Sequence, residues 1–332
     1  MSFFCATGRP FQLVTRASHV PGPNNCRFHR PTMTAKALKG FHLARIVQRQ
    51  TLSPTVVQLE LEVSPTLASF WAGQWVDFVV PSHEWVGGFS IASLPHDLPR
   101  LVLAVKRSRA APSQWVHQDD AVVGTDVQIR VGGSCTMPPP QPSLNNKTDS
   151  SNETCTSTSA ISRVPRSVVF CAGGIGVSPL LGMYQYWTKA ITQQQQEYRQ
   201  GKGSFTNEES STKALFYYSA ATEEELVFQK ELIEFTQLNQ SYNTQLHLSL
   251  TQQSQWNNLQ DEEILPPTDG TGVVHRTVGR QLDSFLSSNN SSLKDDQSHF
   301  FICGPPTMID ETAAFLEQKQ VDPKRIHYEK WW

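Results

Sequence analysis

Apolar and polar positions alternate along much of residues 41–132: Val57, Leu59, Leu61 and Val63 are interleaved with Gln58, Glu60 and Glu62, and Val127, Ile129 and Val131 with Asp126, Gln128 and Arg130. A period of two marks antiparallel strands with one buried face. Further strands are expected at 41–49, 74–80, 88–93 and 101–106, giving about six strands in this span, a number that closes into a small barrel and removes its own edges. A short helix at Ser113–Gln118 is expected to cap it.

From residue 167 the texture changes. Strands are expected at Ser167–Ala172, Lys213–Ser219, Thr244–Leu250, His299–Cys303 and Arg325–Glu329. Helices are expected at Ser178–Ile191, Glu223–Leu238, Gly279–Leu286 and Thr307–Lys319. Strands separated by helices form a parallel sheet with helices on both faces. The predicted fold is thus an antiparallel β barrel at 40–133 followed by a five-stranded parallel α/β domain at 166–332. Segments 193–212, 251–272 and 287–298 are rich in Gln, Asn and Ser and read as loop excursions.

Residues 134–165 separate the two textures and are rich in Pro, Ser, Thr and Asn, especially from 136 onward. Such a stretch buries too little apolar surface to offset its ordering entropy and reads as an unstructured linker or insertion. The Asn-x-Ser/Thr triplets at Asn146 and Asn152 read as chance in a chain without a recognisable signal peptide.

Charge is unevenly distributed. Residues 1–59 hold eight Lys or Arg and no acid, whereas the remainder has 20 basic against 30 acidic residues, a net −10. An acidic body repels phosphate backbones, which argues against nucleic acid as a partner. The acid-free, Arg-rich residues 1–35 read as a mitochondrial presequence directing the protein to the matrix, or as a plain basic tail; Pro21, Pro23 and Pro31 confine any helix to its first part. No apolar run reaches the length of a bilayer-spanning helix, so no transmembrane segment is expected and the chain reads as soluble. The six cysteines form no C-x-x-C pair, leaving a metal centre without local support.

The candidate chemistry sits at strand ends. Val168–Ala172 runs into Gly173-Gly174-Ile175-Gly176-Val177-Ser178-Pro179. Glycines allow a sharp turn and close ligand approach, Ser178 suits a helix cap, Pro179 suits the first turn, and a helix N-terminus attracts phosphate. A tight turn without any ligand would use the same glycines. The pattern is G-x-G-x-x-P, without the third glycine of the ordinary dinucleotide fingerprint. Downstream, the apolar strand ending at Cys303 continues as Gly304-Pro305-Pro306-Thr307-Met308. Alone, Cys303 would more often be an inert buried thiol.

Taken together, G-x-G-x-x-P followed by C-G-P-P-x-M resembles the nucleotide-binding domain of the ferredoxin-NADP reductase family. The resemblance covers roughly residues 40–332 apart from the polar insertions, and implies a flavin-binding type of barrel before it. It implies a dinucleotide diphosphate over Gly173, Gly174, Ile175, Gly176, Val177, Ser178 and Pro179, with Gly304, Pro305 and Cys303 beside the nicotinamide. In the barrel, Gly87-Gly88-Phe89-Ser90 stands where the family has Arg-x-Tyr-Ser. Phe89 then matches the aromatic on the flavin ring and Ser90 the hydroxyl near flavin N5. Glu329 and Trp331 match a terminal acid and aromatic beside the ring.

Two departures stand out. Gly87 replaces the arginine that clamps the flavin phosphates, and Ala110-Ala111-Pro112-Ser113 replaces a Gly-rich turn over them. Ser113 and Lys106 are the available substitutes, unless each is merely structural or solvated, and an arginine at 87 would be expected to tighten flavin binding.

The resemblance implies FAD, with FMN or a weakly held flavin as variants, and nicotinamide dinucleotide. Thr222-Glu223-Glu224-Glu225 after the second parallel strand lacks a base for a 2′-phosphate and favours NAD(H) over NADP(H), unless these acids merely begin a helix. Ser90, Cys303 and Glu329 are the catalytic candidates. Two functions follow: a flavin-dependent NAD(P)H oxidoreductase serving an unidentified electron acceptor, or a nucleotide sensor or assembly protein that kept the fold and lost turnover.

Overall fold

The structure is a computed structural model that describes residues 37–81, 85–118, 121–139, 158–200, 212–251, 273–274 and 297–330. The expected presequence, the helix at 279–286 and Trp331 lie outside the described residues.

The first sheet has six antiparallel strands, β1 (His42–Ser53), β2 (Val56–Val63), β3 (Trp75–Val79), β4 (Val86–Ser90), β5 (Arg100–Lys106) and β6 (Asp126–Gly132), in the order β4-β3-β6-β1-β2-β5. An Ile91↔Leu103 bridge and the Ala92 N–H to Val102 carbonyl bond join its two edges, so the expected barrel closes. The alternation read in the sequence is its inside-outside pattern: Leu59, Leu61, Val127 and Ile129 are buried in the core. Helix α1 (Ala111–His117) covers one opening, with Trp115 and Val116 buried.

The second sheet comprises β7 (Ser167–Gly173), β8 (Lys213–Ala220), β9 (Thr244–Leu250), β10 (Val273–Val274), β11 (His299–Cys303) and β12 (Ile326–Tyr328), all parallel, in the order β10-β9-β8-β7-β11-β12. The five expected strands are present, and β10 is a two-residue sixth, too short to give a periodic signal. Helices α3 (Val177–Arg199) and α4 (Gln229–Leu238) pack on the face holding Phe170, Phe216 and Phe301. Helix α5 (Pro306–Gln318) packs on the face holding Val169, Leu215, Phe300 and Ile302.

Three expectations need adjustment. Helix α3 runs on through the Gln-rich stretch read as a loop, because Gln is a good helix former and neither Gly nor Pro interrupts the run before Gly201. The helix expected from Glu223 is a single 3-10 turn at Glu223–Glu225, followed by α4 after Phe228 in a left-handed conformation (φ 62°). Finally, the stretch read as unstructured is ordered at both ends. Met137 donates its N–H to the Ala72 carbonyl and is fully buried, and α2 (Thr158–Ser162) carries buried Ile161 and leads into buried Val164. Each apolar side chain finds a ready-made surface there, which average composition does not register.

Candidate functional site

The turn from β7 to α3 is built by close backbone approach. A Cβ on Gly176 would lie 2.1 Å from the Cys303 carbonyl oxygen, and one on Gly173 would lie 2.4 Å from Met308 Sδ and 2.8 Å from Pro305. A Cβ on Gly304 would lie 3.1 Å from Gly173 Cα. These three glycines lock the ends of β7 and β11 together. Gly176 was expected to admit a diphosphate; it is buried in packing instead. Gly174 is different: it is left-handed (φ +53°), and the nearest atom to its would-be Cβ is Lys106 Nζ at 3.7 Å. It is the glycine of the turn that leaves room for a ligand.

Ile175 beside it is half-buried, while Val177, Ser178 and Pro179 are buried. Ser178 does not cap α3, because its fully buried hydroxyl has no hydrogen-bond partner among the described residues. An orphaned buried donor at a helix start suits an incoming acceptor.

The open turn adjoins a small cavity lined by Gly73, Cys135, Leu180, Met183, Cys303 and Glu329. The Ser134 N–H donates to Glu329 Oε1 at 3.1 Å, tying the end of β12 to the barrel. Burial, then the charge of Glu329, pushes the Cys303 thiol up to about 12. Burial, then Cys303 and Glu329, raises the Cys135 thiol as well. Both sulfurs are therefore neutral at pH 7, so neither is a ready nucleophile. Cys135 was not anticipated; no motif marks it, and only the fold brings it to Cys303.

In the barrel, β4 presents two faces. Gly87 and Phe89 pair with buried Phe78 and Val76, and the Phe89 ring lies 5.6 Å from that of Phe78. Ser90 pairs with Trp75 on the other face. The Trp75 indole packs on Gly132 and Gly133, and Glu329 Oε2 lies 3.1 Å from the would-be Cβ of Gly133. Ser90 thereby shares the face of Trp75, which packs on the Gly132–Gly133 turn that meets Glu329, and its hydroxyl makes no hydrogen bond among the described residues.

The corner expected to hold flavin phosphates has no room for a side chain at Gly87. A Cβ on Gly87 would lie 2.6 Å from Pro112 Cβ and 3.1 Å from Phe89 Cζ. Ser113, an expected ligand, is committed locally: its hydroxyl donates to the Lys106 carbonyl and accepts from the Ser108 N–H, each at 2.9 Å. Lys106 turns instead toward the α/β domain, where Nζ is 3.5 Å from Glu225 Oε2. Glu225 also accepts from Thr55 Oγ1 at 2.6 Å and Ser53 Oγ at 3.1 Å. Burial opposes ionisation of Glu225, yet the Thr55 and Ser53 hydrogen bonds and the Lys106 charge together hold its pKa below the usual carboxylate value. One of the three acids expected to repel a 2′-phosphate is therefore a strut between the two sheets.

The oxidoreductase NAD-binding domain family model matches residues 170–314, which span the Gly-rich turn, Cys303 and most of α5. A relative from Homo sapiens, oxidoreductase NAD-binding domain-containing protein 1, is 32% identical over 293 residues, covering 87% of this chain and 79% of the relative. This chain belongs to that family. Its Danio rerio member is 30% identical across 87% of this chain and 91% of the relative. Among solved structures, a ferredoxin-NADP+ reductase from Plasmodium falciparum has TM-score 0.59 at 15% identity, covering 88% of this chain and 97% of that one. A ferredoxin NADP+ reductase from Neisseria gonorrhoeae, with bound FAD and NADP, has TM-score 0.58 at 15% identity over 87% and 98% of the two chains. This chain thus has the two-domain reductase fold with an NAD-binding domain.

Proposed function

We propose that this protein is a nicotinamide-dinucleotide-dependent oxidoreductase whose α/β domain holds the dinucleotide diphosphate over Gly174 and directs the nicotinamide toward Cys303 and Glu329. The observation that carries the reading is the Gly176–Cys303 interlock, which fixes Cys303 beside the open glycine of the turn. The buried, partnerless Ser178 hydroxyl and the Lys106 ammonium supply an oriented dipole and a positive charge for phosphate oxygens. Cys303 and Cys135 form a neutral, largely apolar wall that limits water at the ring, while Glu329 is held in place by Ser134. NAD(H) remains the favoured form, now on Glu223 and Glu224 alone, both exposed after β8. The basic residues 1–35 support a mitochondrial address, which fails if a fusion lacking them is still imported.

The resemblance also implies FAD in the barrel as acceptor of the hydride. Ser90 matches it, with Trp331 as the expected second aromatic, but Phe89 packs on Phe78 against the barrel core and the phosphate corner has no room for a side chain at Gly87. A second reading, a dinucleotide-binding protein without turnover, is favoured by that crowded corner. NADH titration of the purified protein tests the first proposal, and its absorption spectrum separates the two readings. Submicromolar to micromolar NADH binding is expected; no binding at millimolar NADH would reject the dinucleotide site.

A further inference from the structure

We infer that Glu225 restrains dinucleotide binding: its carboxylate competes with the ligand's diphosphate for Lys106, the cation over the Gly174 turn. The inference rests on the dinucleotide site proposed above and names a residue that sets its affinity.

Lys106 stands between two claims on its charge. Its stem comes from β5 of the barrel, and its Nζ is the nearest atom to the position of a Cβ on Gly174, at 3.7 Å. From that same place Nζ lies 3.5 Å from Oε2 of Glu225, in the 3-10 turn that follows β8 of the α/β domain. Phosphate oxygens over Gly174 would therefore meet an ammonium already paired with a carboxylate. That carboxylate is fixed. Thr55 Oγ1 donates to Oε2 at 2.6 Å and Ser53 Oγ to Oε1 at 3.1 Å, and the Glu225 side chain is only 11% exposed. The Lys106 side chain is 40% exposed, so the lysine is the partner that can turn.

Charge then decides the direction of the effect. A diphosphate brings two negative charges to a place where one cation already faces one anion. At these separations, on the edge of a low-dielectric interior, such charges interact more strongly than in bulk water. The buried Ser178 hydroxyl at the start of α3 adds a dipole but no compensating charge. Binding draws Lys106 away from Glu225, and loosening that pair takes up part of the binding free energy. Glutamine at 225 would keep an acceptor and a donor for the two hydroxyls while leaving the lysine to the ligand.

The test is titration of the full-length protein with NADH and with ADP-ribose, which share the diphosphate. Wild type, Glu225→Gln, Lys106→Met and the double variant are compared, with thermal denaturation as the check on folding. Glu225→Gln is expected to bind both ligands about three- to tenfold more tightly, and the gain should shrink below about twofold in the Lys106→Met background. A merely structural role for Glu225 would not produce a gain that depends on Lys106. Unchanged or weaker binding by folded Glu225→Gln would overturn the inference. So would an equal gain without the lysine, which would make Glu225 a direct repellent of the ligand, or a gain for NADH with none for ADP-ribose. Glu225→Ala is the second variant, with the same expected direction; failure of both to fold would overturn the inference by making the carboxylate a structural requirement of the seam. Wild-type protein that binds neither ligand would reject the dinucleotide site and the restraint with it, whereas wild-type binding that does not respond to Glu225 would reject the restraint alone.

Discussion

Two strand-to-helix corners of this molecule are built from glycine and proline, and they have opposite outcomes. At the β7–α3 corner, Gly173, Gly176 and Gly304 draw two strand ends together, which leaves Gly174 open beneath a lysine. At the β4–α1 corner, Gly87 lets Pro112 settle onto the strand, and the Ser113 hydroxyl is engaged locally. Absence of a side chain therefore makes a ligand site only where nothing else in the chain fills the space.

Filling each glycine with a side chain separates the two corners. Gly176→Val should disrupt the α/β domain, because its Cβ meets the Cys303 backbone and no flexible side chain can yield. A loss of at least about 3 kcal/mol is expected by thermal denaturation, rather than a simple loss of NADH affinity in a stable protein. Wild-type stability with weaker NADH binding would return Gly176 to the ligand.

Acid offers a test of the α/β sheet. His299 and His327 stack with parallel rings 5.2 Å apart on adjacent strands. Burial, then the charge of His299, lowers His327 to about 4 from 6.5. The unfolded chain binds a proton here more readily than the folded one, so the stabilising effect is complete above pH 6.5 and is lost as pH falls toward 4. Up to about 3 kcal/mol is at stake. His327→Gln should flatten the dependence of Tm on pH in that window; an unchanged slope would exclude the pair as its source.

Gly87→Arg, expected from sequence to improve flavin binding, should instead cost about 1–3 kcal/mol through overpacking against Pro112, with no gain in flavin affinity. Denaturation and FAD titration of the same preparation check both halves. The smallest effect belongs to Lys106→Met, which keeps the stem and removes the charge. NADH affinity should fall by about three- to tenfold, roughly 1 kcal/mol, and its salt dependence should diminish.

Much of this architecture was legible along the chain. The period-two strand Val56–Val63 and the apolar run Ser167–Gly173 each announce their burial, and the glycine and proline punctuation marks the corner between β7 and α3. Contacts between distant segments were not legible. Pro112 over Gly87 depends on how α1 folds back on the barrel, and Cys135 beside Cys303 and Glu225 reaching Ser53 and Thr55 depend on how the two sheets meet. The apolar residues of α2 were hidden differently, diluted by a polar neighbourhood. Motifs located the corners, whereas packing determined which of them remained open.

The seam between the sheets has a consequence for how the molecule comes apart. Val56, Ala72, Leu94, Ala104 and Met137 of the N-terminal half share one buried cluster with Phe170, Tyr184 and Trp187 of the C-terminal half. Separating the halves would wet that cluster, so each half is expected to lose stability when cut from the other. Calorimetry should record a single endotherm with equal calorimetric and van't Hoff enthalpies, and a chain divided near residue 150 should regain its shape only when both pieces refold together.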